Sequence, residues 1–151
     1  MMRCNIPGCE ERIREAPPVG AFIAELEQRF NKEVVVDDIQ RHPSPQTITG
    51  LLGTVRATES EIIAYLDAQQ MQEYVRRTVS AAREELRHNV ERNLFLHTLC
   101  HELLHYEMDS EEYPVTTNRA DFSEDVSVSK LGTLLQDAII HGELARRQIQ
   151  R

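Results

Sequence analysis

Apolar positions along this chain follow two rhythms, one of period 3.6 and one closer to that of a strand. Phe22, Ile23, Leu26 and Phe30 fall at helical spacing, which predicts a helix over 20–31. Segment 32–39 contains Val34-Val35-Val36, a β-branched run that reads as a strand. Two prolines in 41–46 block both helix and ladder, so this stretch reads as a loop. Segments 47–56 and 61–66 then predict two further strands, joined by a turn at 57–60 and able to pair as a hairpin. Beyond them the helical rhythm takes over. Tyr74, Val75, Val79, Ala82, Leu86 and Val90 form one stripe, predicting a single long helix over 67–91. A second helix is expected over 93–108, irregular chain over 110–121 and a last helix over 123–148. The fold class is α+β: a small antiparallel or mixed sheet in the N-terminal half, packed with three or more helices.

A length of 151 residues suits one domain over 1–151, with the polar segment 1–17 read as a flexible lead-in. The net charge of −8 argues against nucleic acid and against an anionic membrane surface, both of which would repel the chain. No apolar run approaches the roughly 20 residues needed to cross a bilayer, and 1–16 has no apolar signal region. A cytoplasmic protein is therefore expected. Cys4, Cys9 and Cys100 are few and odd in number, unlike a disulfide framework. Cys4 and Cys9, with Pro7 and Gly8 between them, make at most half of a metal site and read as two free thiols.

The chemistry concentrates in "LHTLCHELLHYEMD", where His101-Glu102-Leu103-Leu104-His105 is an H-E-x-x-H. Residues four apart on a helix share a face, so His101 and His105 can offer nitrogens to one zinc ion. Glu102 projects beside such a metal rather than at it, the place of a general base acting on zinc-bound water. Leu99, Leu103 and Leu104 supply a packing face, and Cys100 points to a face other than that of His101. His97 lies one turn before His101 on the same stripe, within reach of a substrate or the ligands.

Catalytic zinc usually takes three protein ligands. Asp109, Glu111, Glu112, Asp121, Glu124 and Asp125 follow the motif. Asp109 sits two helical turns from His101, about 12 Å by rise, too far to close the site easily. Glu124 precedes Val128, Leu131 and Leu135 at i+4, i+7 and i+11, so it faces inward, where a carboxylate needs a partner or a metal. Glu124 is therefore the candidate third ligand, with Glu111, Asp121 and Asp125 as alternatives. Tyr106 and Tyr113 are candidates to steady an oxyanion.

These residues resemble the zincin metallopeptidases, and the layout is most similar to the ImmA/IrrE family. Its active-site helix carries R-F-T-L-A-H-E-L-G-H, where this chain reads "LHTLCHELLH". Thr98, Leu99, His101, Glu102, Leu103 and His105 match; Leu104 replaces the glycine. "SEDVSVSKLGTLL" resembles that family's acid-bearing helix, with Glu124 in the ligand position. The resemblance implies a zincin-like fold and a zinc peptidase that acts on a protein partner. A zincin-like regulatory module that no longer cuts is the alternative. A weaker similarity to the YbeY-type RNA-processing metalloproteins rests on Leu104 and His105; there Glu102 replaces a glycine and Glu111 the third histidine.

Overall fold

The computed structural model describes residues 2–45, 51–110 and 144–147. In order, these form β1 (Arg3–Cys4), α1 (Cys9–Arg14), α2 (Pro17–Phe30), β2 (Glu33–Asp38), β3 (Gly53–Ala57), β4 (Glu61–Leu66), α3 (Ala68–Thr78) and α4 (Glu84–Ser110), with a 3-10 turn at Ile39–Arg41. The fold is α+β with a small mixed sheet of order β1-β2-β4-β3. β1 and β2 pair in parallel, as do β2 and β4, while β3 and β4 form the antiparallel hairpin expected from sequence. At that hairpin's turn the Thr58 N–H donates to the Glu61 carbonyl at 2.9 Å, and the Thr58 hydroxyl accepts from the Glu61 N–H.

The β-branched runs of β2 and β4 bury both faces of the sheet's centre. Val34, Val36, Ile62, Ala64 and Leu66 face the helices and join the main core. Val35, Ile63 and Tyr65 alternate to the other face and cluster there with Ile39. Glu33 and Glu61 stand opposite each other in the register. Like charges at that spacing repel. Arg3 bridges them from β1, at 3.3 Å to Glu33 and 2.9 Å to Glu61.

The segment 1–17, expected to be a flexible lead-in, carries β1 and α1 instead. Ile6, Cys9 and Ile13 are buried in the main core. Arg12 pairs with Glu91 of α4 at 2.9 Å and lies over the Phe95 ring. α2 begins on Pro17 and Pro18, whose missing N–H groups cost nothing at a helix start. It ends at Asn31 in the left-handed region, φ 52°, a conformation asparagine tolerates.

The single helix expected over 67–91 is two. α3 stops at Thr78, Val79 is extended, and α4 begins at Glu84 rather than near residue 93. The break falls at Thr78-Val79-Ser80, whose β-branched and hydroxyl side chains are weak helix formers. Arg87 reaches back to donate to the carbonyls of Val79 (2.7 Å) and Arg76 (2.8 Å), satisfying groups the break leaves open. The predicted stripe is not one buried face: Val75 is buried, whereas Tyr74 is 51% and Leu86 36% exposed. Residues 47–50 and most of the expected last helix lie outside the described residues. The part described is helical at 144–146 and places Leu144 in the core. Among the described residues no helix is long and apolar enough to cross a membrane.

Candidate functional site

Helix α4 carries the H-E-x-x-H, and its C-terminal half is held on several sides. Phe95, Leu99 and Leu103 recur every four residues and are wholly buried, flanked by Leu96, Cys100 and Leu104. Helix α4 as a whole packs on β3, β4, α3, α1 and α2. Thr98, also buried, donates its hydroxyl to the Leu94 carbonyl at 2.7 Å. Gly53 of β3 lets that strand approach closely: a Cβ there would stand 3.2 Å from the Thr98 methyl. Rotation of the helix about its axis is thereby fixed, and the histidine stripe is fixed with it.

His97, His101, Glu102 and His105 occupy the less buried face, none of them fully exposed. The His101 and His105 ring centroids lie 4.7 Å apart at an interplanar angle of 82°. The His97 ring stacks on His101 at 6.4 Å. The side chains of His101 and Glu102 retain 21% and 14% of their exposure, so water reaches them while bulk solvent is largely kept off. Glu102 Oε2 lies 3.3 Å from His101 Nδ1. A carboxylate oxygen accepts, so a hydrogen bond here takes Nδ1 as its donor, and the neutral tautomer that supplies it would keep the lone pair on Nε2. A lone pair on the outer nitrogen is what a metal ligand requires. Helical geometry thus brings His105 and Glu102 each against His101.

Two imidazoles fit zinc chemically but leave its coordination short. Among the described residues no three His, Cys, Asp or Glu side chains are grouped to hold a metal ion. Glu124 lies outside the described residues, as do Glu111, Glu112, Asp121, Asp125 and Tyr113. Asp109 is described and exposed. Tyr106, a candidate for the oxyanion, packs its ring edge-on to Phe30 at 5.1 Å, against the core. Cys100 is buried as its helical position predicts, and burial pushes its thiol up to about 12 against the pull of Arg147.

Glu107 was not singled out from sequence. It is buried, with Arg29 at 3.1 Å and Arg147 at 3.9 Å. Its signal was present: an acid four residues after Leu103 sits on the apolar stripe, where a carboxylate needs cations. No protein-family model matches the chain, and neither curated proteins nor solved structures were found to match it.

Proposed function

We propose that the chain is a zinc-dependent peptidase of the zincin type, cutting a peptide bond in a protein substrate. The observation that carries this reading is the partly buried pair His101 and His105, ring centroids 4.7 Å apart, with Glu102 beside His101 on a helix whose other face is locked in the core. His101 and His105 hold the zinc, and Glu124 completes the set as the third ligand. Zinc, when bound, acidifies water and polarises a carbonyl. Glu102 takes the proton of the attacking water and returns it to the leaving amine. The acidic chain, at −8, disfavours nucleic acid as the substrate. The similarity to the ImmA/IrrE layout supports a protein partner as substrate.

A regulatory module that no longer cuts is the second reading. It is favoured by the 3.3 Å contact of Glu102 with His101, which engages the carboxylate meant to serve as base. Elemental mass spectrometry of protein purified without added zinc decides whether the site is real. About one zinc per chain, lost on replacing His101 and His105 with alanine, is the expected result. No zinc, even when zinc is offered, overturns the reading. Glu102→Gln is expected to keep the metal and lose hydrolysis of a protein substrate; an unchanged cleavage rate removes Glu102 from the mechanism.

A further inference from the structure

Cys4 ends β1 and Cys9 opens α1, and their Sγ atoms stand 2.7 Å apart. That separation lies between a disulfide bond, about 2.05 Å, and non-bonded packing, which for carbon atoms is roughly 3.5–4.0 Å, so the two sulfurs are within reach of a bond. The backbone holds the two thiols there. Asn5 donates to the Val36 carbonyl at 2.8 Å, which fastens the chain after Cys4 to β2. Cys9 N–H donates to the Ile6 carbonyl at 3.1 Å, closing the turn. Gly8 makes the turn possible with φ 78°, a conformation other residues rarely adopt. Cys4 is partly exposed and Cys9 is buried. The pair therefore has an accessible sulfur and a shielded one, in contact, on a framework that already fixes their distance.

We propose that Cys4 and Cys9 are a redox site that exchanges with a small-molecule disulfide and closes an intramolecular bond between β1 and α1. Cys4 loses its proton to water, and its thiolate attacks one sulfur of the small disulfide. The S–S bond of that molecule breaks, one thiolate leaves and takes up a proton, and Cys4 holds the other half. Cys9 then loses its proton and attacks Cys4 Sγ, expelling the second small thiol. Two protein thiols are oxidised to one disulfide, and one small disulfide is reduced to two thiols. The order follows access: Cys4 meets the reagent and Cys9 resolves it. The thiol–thiol hydrogen bond agrees with this order, since it lowers the pKa of Cys4 from its ordinary value and, with burial, raises that of Cys9.

The bond would restrain α1, which Arg12 anchors to α4 through Glu91 and Phe95. For so short a loop the chain-entropy model gives a roughly 30- to 40-fold shift of the folding equilibrium toward the native state. The experiment treats the full chain with oxidised glutathione, quenches in acid, alkylates in denaturant and maps peptides by mass spectrometry. A Cys4–Cys9 linked peptide short of two hydrogens is expected, with Cys100 alkylated and the link reversed by reduced glutathione. Denaturant unfolding of the oxidised and reduced forms then reads the shift. Recovery of both residues as free thiols, as separate glutathione adducts or in links between chains overturns the proposal. The wild-type map suffices even if Cys4→Ser does not fold; where that variant folds, the link is expected to vanish.

Discussion

Replacing Gly53 with alanine tests how tightly the sheet is keyed to the helix that carries His101 and His105. Gly53 pairs with Leu66 at the end of the hairpin. An added Cβ would lie 3.0 Å from Leu66 Cδ2, 3.2 Å from Thr98 Cγ2 and 3.2 Å from the Tyr65 carbonyl oxygen. None of the three yields easily. Leu66 is wholly buried in the main core. The Tyr65 carbonyl belongs to β4, which is bonded between β2 and β3. Thr98 can swing its methyl aside only at the expense of its 2.7 Å bond to the Leu94 carbonyl. Overpacking of this kind costs about 1–3 kcal/mol. The narrowed unfolded ensemble of alanine returns roughly 0.4–1 kcal/mol. The expected net loss is about 1–2 kcal/mol, or a fall in Tm of roughly 2–8 °C for a chain of this size. Denaturant unfolding followed by circular dichroism reads it as a lower midpoint at unchanged slope. Adding Thr98→Ser removes one of the three opposing atoms and is expected to recover part of the loss, a coupling of about 0.5 kcal/mol or more. A Gly53→Ala protein as stable as the wild type, or more so, refutes the close keying of β3 to α4. If α4 moves to accommodate the methyl, the displacement begins one turn from Glu102, so zinc retention in the same variant reads whether the site feels it.

Two further perturbations separate local from tertiary contributions. Leu99→Ala removes a wholly buried side chain beneath the motif and is expected to cost about 2–5 kcal/mol. Leu86→Ala, on the exposed part of the same helix, is expected to cost under about 1 kcal/mol by the same unfolding assay, and equal losses would contradict the described packing of α4. Cys9→Ala deletes the hydrogen bond that favours the Cys4 thiolate. Because that bond stabilises the charged form, while burial and Glu10 oppose it, its loss moves the onset of Cys4 alkylation to higher pH, past the ordinary thiol value. An onset that stays put or falls would show that Cys9 does not set the acidity of Cys4.

Sequence alone carried whatever depends on neighbours along the chain. The runs in Glu33–Asp38 and Glu61–Leu66 declare strands because β-branched side chains suit a pleated, buried surface. His101, Glu102 and His105 meet because a helix repeats every 3.6 residues wherever it stands. Tertiary structure decided the rest. β1 is two residues long, too short to leave a pattern, and exists because β2 offers it an open edge. The parallel register of β2 with β4 joins residues far apart in sequence. The break between α3 and α4 interrupts a stripe that looks continuous, and Arg87 supports it from eight residues downstream of Val79. Cys4 and Cys9 are visible as a spacing, but their contact depends on the turn at Gly8 and the bond from Asn5 to Val36. Periodicity is set by bond geometry within one turn or one pleat, so a short window of sequence contains it. Pairing across the fold is set by which distant surfaces bury each other, and no window short enough to read contains both partners.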